Sequence, residues 1–303
     1  MQVRRDLERA LDGELADLHD DDCKPPAVSA AALSRRRGAS FTVILVVLPI
    51  HDRNPTRRAP VVTYALIAVN VVAFLLSPVP QASLGSATAT QSCRDTAFFF
   101  RWGAQPTELA HNHALAFAIG SPVGAASCAE VPAPYDKIPV LSALTSMFVH
   151  GGWLHLLGNM LFLWIFGNNV EDRLGRLRYL LFYLGIGMAA AYCFAVTRPN
   201  SIEPLVGASG AIAGVLGAYL VWYPRAKITS LFVILPIRLP AWVVLGGWFG
   251  LQAVYAHGVQ AQGGGVAYLV HVFGFGFGAA IALLLRGSTG RRQRGNPPRA
   301  PAW

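Results

Sequence analysis

Charge is what this 303-residue chain has least of. Charged residues make up 14% of it and hydrophobic residues 53%. That balance excludes an ordinary soluble domain, in which about a quarter of residues are charged. Acidic residues are the scarcer sign, 16 against 25 Lys and Arg, and none follows Glu203. Serine is sparse as well: between Met147 and Gly287 it occurs only at Ser201, Ser209 and Ser230. The net charge of +9 does not point to nucleic acid. That function calls for a basic face interleaved with aromatics on a soluble domain, and the sequence shows none.

Long uncharged runs are what the chain has instead. A helix needs about 20 apolar residues to cross a bilayer. Trp153 to Val170, Tyr179 to Thr197 and Leu205 to Pro224 carry no formal charge, and neither does Leu239 to Leu285, which is too long for one crossing. The polar, glycine-rich stretch from His257 to Gly265 divides that last run in two. Val61 to Ser77 makes a further, shorter segment. The apolar stretch Phe41 to Ile50 is too short to span and reads as interfacial. Basic residues cluster before the first segment (Arg35 to Arg37, Arg53, Arg57, Arg58) and after the second (Arg173, Arg176, Arg178). They cluster again after the fourth (Arg225, Lys227, Arg238) and after the sixth (Arg286 to Arg299). By the positive-inside rule both termini are cytoplasmic. The expectation is an all-α membrane protein, a bundle of six transmembrane helices over 51–286. Residues 1–50 read as a cytoplasmic extension, partly disordered, with an amphipathic helix suggested by Leu7, Leu11, Leu15 and Leu18. Residues 287–303 read as a disordered basic tail.

Polar side chains inside such segments are costly and default to functional hypotheses. Ser209 follows Gly207 and precedes Gly210, early in the fourth segment. His155 and Asn159 come early in the second, and His271 early in the sixth. With this topology all three segments enter from the outer face, so these groups share a depth roughly 5–10 Å below their helix starts. Each residue alone has a bland reading. Gly207 to Gly210 suits helix packing, Asn159 suits interhelical bonding, and His271 suits a satisfied bundle histidine. Their shared depth favours a joint role. A serine hydroxyl needs a base to take its proton, and a neutral imidazole serves. Without an acid beyond Glu203 a Ser–His dyad is the economical reading. Gly210, Gly214 and Gly217, with Gly274 and Gly278, supply the small faces that let the fourth and sixth segments approach. Glu171 and Arg173 to Arg178 read as a structural cytoplasmic cap.

Four sequence pieces, in order, resemble the rhomboid family of intramembrane serine proteases. They are His150-Gly-Gly-Trp-Leu-His155-Leu-Leu-Gly-Asn159, Gly167-x3-Glu171-x3-Gly175, Gly207-Ala-Ser-Gly210 and His271-Val-Phe-Gly274. The resemblance covers roughly His51 to Arg286. It implies a rhomboid-like bundle and an endopeptidase that cleaves transmembrane segments of membrane proteins, with no cofactor and no metal. It implies Ser209 as nucleophile and His271 as base, with Asn159, His155 and the Ser209 N–H as oxyanion donors. His150, Gly207 and Gly210 would line the site mouth. The partners implied are the lipid bilayer and substrate segments, and the expected location is a multi-pass one in a cell membrane, that of a bacterium. The alternative is a catalytically inactive rhomboid-like protein that binds membrane proteins without cutting them. A transporter is disfavoured, because the polar groups cluster in one leaflet and no internal repeat is evident.

The first loop, about Pro78 to Ser142, is long enough that it must be folded or functional. It holds Cys93 and Cys128, both outside in this topology, where a disulfide is permitted. Cys23 and Cys193 fall in other compartments.

Overall fold

The computed structural model describes residues 48–82, 88–123, 127–132, 137–232, 235–258 and 268–293. The expected N-terminal amphipathic helix lies outside these residues, as does most of the loop from His257 to Gly265. The described chain begins with strand β1 (Leu48–Asp52), followed by α1 (Val61–Leu76). The first loop folds into α2 (Val79–Ala82), α3 (Ala89–Trp102), α4 (Pro106–His111), the hairpin β2 (Phe117–Val123) and β3 (Ser127–Pro132), and α5 (Pro139–Thr145). Then come α6 (Trp153–Leu174), α7 (Arg176–Thr197), α8 (Ser209–Trp222), β4 (Lys227–Phe232), β5 (Leu235–Pro240), α9 (Ala241–Gly258) and α10 (Tyr268–Gln293).

Helices dominate, yet the all-α expectation needs correcting. An antiparallel sheet in the order β1-β4-β5 and the β2-β3 hairpin accompany them. The sheet straps the segment entering α1 to the link between α8 and α9. Its cause is a long-range pairing: Leu48 to Ile50, expected as part of an interfacial stretch, finds an edge in β4, pairing Leu48 with Leu231 and Asp52 with Ile228. Asp52 is drawn inward there and bonded by Asn169 Nδ2 at 2.7 Å. Burial raises its pKa, and the Tyr219 hydroxyl and the Asn54 N–H pull it back. Helix α10 also continues to Gln293, past Arg286, into the stretch expected as tail.

Helix α8 is the centre. Every residue from Gly210 to Tyr219 is buried, with α6, α7, α9 and α10 packed around it. A helix apolar on all sides and buried on all sides suits that place. The outer helices turn apolar side chains outward. Leu76 is 83% exposed, Leu181 62%, Val254 67% and Leu284 82%, a surface suited to lipid and not to water. By length and hydropathy α7 and Tyr268–Arg286 of α10 can each cross a membrane, and α5 with α6 forms a pair bent by 85° that passes together. Helices α1, α8 and α9 are apolar but shorter.

One long-range cap and one local turn position the core. Pro60, ahead of α1, has no side chain that caps the helix. The Glu171 carboxylate does so from α6, accepting from the Val62 and Thr63 N–H groups at 3.0 and 2.8 Å and from Thr63 Oγ1 at 2.8 Å. An anion at a helix N-terminus satisfies orphan donors and complements the dipole. Gly175, at φ +80°, lets α6 turn directly into α7. The role read for Glu171 in the sequence is therefore structural, as expected, but its target is α1.

The first loop buttresses the segment ahead of α8. Ala104 pairs with Leu205 through bonds of 3.0 and 2.8 Å, and Thr107 N–H donates to Ser201 at 2.9 Å. The loop is itself stapled. Cys93 and Cys128 form a disulfide. The buried Lys137 ammonium donates to Phe100 O at 2.8 Å and Gly103 O at 2.9 Å, contacts Gln105 Oε1, and pairs with Glu108 at 2.6 Å. Burial lowers the pKa of Lys137, and Glu108 opposes that shift.

Candidate active site

Ser209 is the first residue of α8, not a residue part-way down a helix. Residues Ser201 to Val206, expected partly within the fourth span, lie outside any helix or strand. The Ala104 pairing and the Gly207 N–H bond to Ser146 O at 2.9 Å hold this approach. Gly207 adopts φ +117°, a backbone angle that disfavours any side chain. A Cβ there would also lie 2.7 Å from the His155 ring. Glycine at this point thus permits the turn into α8 and leaves room for the imidazole. No side chain caps α8, so the N–H groups of its first turn face the site with the positive end of the helix dipole.

His271 enters from α10. Its Nε2 lies 2.7 Å from Ser209 Oγ. That closeness follows from glycine on both helices. A Cβ added at Gly217 would strike the backbone of Phe275 and Ala279, one at Gly274 the Gly210 carbonyl, and one at Gly278 the Gly214 backbone. Backbone lies directly against backbone along the whole crossing. The other ring nitrogen, Nδ1, lies 2.7 Å from Gln252 Oε1 of α9, and the Trp248 ring centroid is 5.9 Å away. The sequence reading passes over Gln252, although a lone amide in an otherwise apolar helix is a signal of the same kind as Ser209 and His271.

Asn159 and His155 lie one turn apart on α6 and both border Gly207: a Cβ there would meet the His155 ring and, at 3.7 Å, Asn159 Nδ2. The Asn159 Nδ2 is buried without a hydrogen-bond partner. A buried orphan donor is rare and calls for an explanation, and here it lies beside the start of α8. His150 departs from expectation. At 1% exposure it packs edge-on against His155, ring centroids 5.1 Å apart, rather than lining a hydrated mouth. The loop before α6 folds inward, which the sequence pattern does not reveal. Gly210 is buried against Val270 and so serves the helix crossing rather than the mouth. Among the described residues no three His, Cys, Asp or Glu side chains gather as a metal site would require.

Residues 139–288 match the family model of the rhomboid domain. The chain belongs to the rhomboid family. The match opens at α5, ends in α10 and contains His150, His155, Asn159, Ser209 and His271; the disulfide lies outside it. Over 139 residues the chain is 32% identical to Rhomboid protein 1, mitochondrial, of Saccharomyces cerevisiae, a stretch covering 44% of this chain and 38% of that one. It is 34% identical over 106 residues to Presenilin-associated rhomboid-like protein A, mitochondrial, of Danio rerio, covering 34% of this chain and 27% of that one. It is 39% identical over 103 residues to Rhomboid protease GluP of Bacillus subtilis, covering 32% and 20% respectively. The chain thus spans well under half the length of these curated relatives. Rhomboids are membrane-embedded, and the helices here are apolar enough to agree. Two of these relatives are mitochondrial, so the likeness does not favour the bacterial plasma membrane expected from the sequence.

Proposed function

We propose that this rhomboid is an intramembrane serine endopeptidase that cleaves transmembrane segments of other proteins with a Ser209–His271 dyad. The observation that carries this reading is the 2.7 Å separation of His271 Nε2 and Ser209 Oγ, within hydrogen-bond reach of a nucleophile and its base. His271 takes the Ser209 proton as Oγ attacks the scissile carbonyl, then returns it to the leaving amine. Water repeats the cycle on the acyl-enzyme. The carbonyl oxygen becomes an oxyanion. The Ser209 N–H at the head of α8, the Asn159 amide and His155 are its donors, and the orphan Asn159 Nδ2 supports that assignment.

Six helices, α1 and α6 to α10, cross the bilayer in this reading, with both termini cytoplasmic by the distribution of Arg and Lys. The three shorter helices are then completed by the thickness of their flanking segments and by local thinning of the bilayer. Substrate enters laterally beside α9. A methyl group added at Gly246, Gly247 or Gly250 would meet no neighbour within 4 Å, which leaves room along this helix for an entering segment. The entering segment must unwind locally, because a helical peptide hides its carbonyl. A fluorophosphonate probe on detergent-solubilised protein tests the proposal. Labelling that disappears in Ser209→Ala, together with loss of cleavage of a single-span substrate, is expected. Absence of labelling in the wild type would favour an inactive rhomboid-like binder instead.

A further inference from the structure

Gln252 is buried at 6% exposure in α9, where an amide costs free energy unless its polar atoms are bonded. Its Oε1 lies 2.7 Å from His271 Nδ1, while His271 Nε2 lies 2.7 Å from Ser209 Oγ. An amide oxygen only accepts, so the imidazole proton belongs on Nδ1. The neutral ring then carries its lone pair on Nε2, directed at the Ser209 hydroxyl. We propose that Gln252 is a positioning residue of this site: its amide oxygen holds His271 in the tautomer and ring orientation that let Nε2 take the Ser209 proton. The proposal rests on the reading of Ser209 and His271 as nucleophile and base.

The choice of an amide is physically sensible here. In a soluble triad a carboxylate performs the orienting task and also stabilises the imidazolium. No acid follows Glu203 in this chain, and a carboxylate buried among apolar helices carries a large desolvation cost. A neutral amide performs the orienting part without that cost. Its bond strengthens when His271 becomes cationic, since hydrogen bonds to charged groups are the stronger ones. Trp248, one turn earlier on α9, lies 5.9 Å from the His271 ring, so α9 holds the imidazole through both an aromatic contact and a hydrogen bond. Among the described residues, the other titratable groups that face His271 are Tyr268 of its own helix, 6.4 Å between centroids, and His155 of α6. The reversed amide would donate to Nδ1, place the ring proton on Nε2 and leave no lone pair for Ser209. The two amide orientations therefore predict opposite tautomers.

The test uses the full chain in detergent micelles and compares wild type with Gln252→Leu and Gln252→Glu; Gln252→Met replaces the leucine variant should that one not fold. Long-range nitrogen–proton spectra of histidine-labelled protein, assigned with His271→Ala, read the tautomer without any turnover. His271 is expected as the Nδ1–H form in the wild type and as a mixture in Gln252→Leu. In that variant kcat on a single-span substrate falls about five-fold with KM unchanged, the factor that a neutral hydrogen bond of about 1 kcal/mol represents. Gln252→Glu restores the acceptor and moves the acid limb of the kcat profile to higher pH, because a carboxylate beside the ring favours its charged form. A wild-type ring protonated on Nε2, or a Gln252→Leu variant with unchanged tautomer and rate in an active protein, overturns the proposal alone. A wild-type chain that neither labels nor cleaves overturns the protease reading, and the proposal with it.

Discussion

Replacing Gly274 with alanine should uncouple the Ser209–His271 pair without touching either member. A methyl at Gly274 would sit 3.0 Å from the Gly210 carbonyl carbon and closer still to its oxygen. Carbon atoms prefer about 3.5–4.0 Å, and the obstacle is backbone, which cannot rotate aside. The two helices must therefore separate by roughly 1 Å to restore that spacing. Ser209 adjoins Gly210 and His271 lies one turn before Gly274, so the displacement falls on the 2.7 Å bond between them. A shift of that size carries it beyond the ~3.2 Å reach of a catalytic hydrogen bond. Cleavage of a single-span substrate and fluorophosphonate labelling should both fall on the order of 100-fold, the usual cost of a 1 Å misplacement. The melting temperature should fall by an amount corresponding to about 1–3 kcal/mol of overpacking. Gly276→Ala is the control: nothing lies within 4 Å of a methyl there, so activity should persist, with helix propensity improved by up to ~1 kcal/mol. Wild-type cleavage by Gly274→Ala, or equal damage from Gly276→Ala, would refute the reasoning.

Asn159→Ala should lower kcat by about 10²–10³ while leaving KM nearly unchanged, the signature of a lost oxyanion donor, and His271→Ala should abolish cleavage as Ser209→Ala does. Replacing Cys93 and Cys128 by serine should destabilise the first-loop domain by on the order of 3–4 kcal/mol on loop-closure grounds, read as increased proteolysis of that loop and a lower unfolding midpoint. Lys137→Met should cost about 3–5 kcal/mol, because it leaves Glu108 buried and unpaired; adding Glu108→Gln should recover part of that loss, and a double-mutant cycle on thermal unfolding measures how much.

Much of the site was legible because membrane burial makes polar residues conspicuous. Ser209, His271 and Asn159 stand out against apolar runs by the physics of the bilayer alone, and the glycines on the fourth and sixth segments announced a close helix crossing. Gln252 carries the same signal, a single amide in an apolar stretch, but no motif draws attention to it. His150 was misplaced because nothing in a Gly-Gly loop tells whether it turns toward water or folds beneath the neighbouring helix. The strand at Leu48 to Asp52 was not legible because a strand needs a partner, and β4 lies far away in the chain.

Composition, the spacing of uncharged runs and the placement of arginines determined by themselves that this is a helical membrane protein with a serine and a histidine in separate apolar segments, since those properties depend only on transfer free energy and helical rise. Tertiary structure alone decided that α8 begins at Ser209, that Gln252 reaches the second nitrogen of His271, and that the folded first loop pins the approach to Ser209. Each of these depends on contacts between residues distant in sequence, whose geometry is set by how helices pack and not by the order of letters along any one of them.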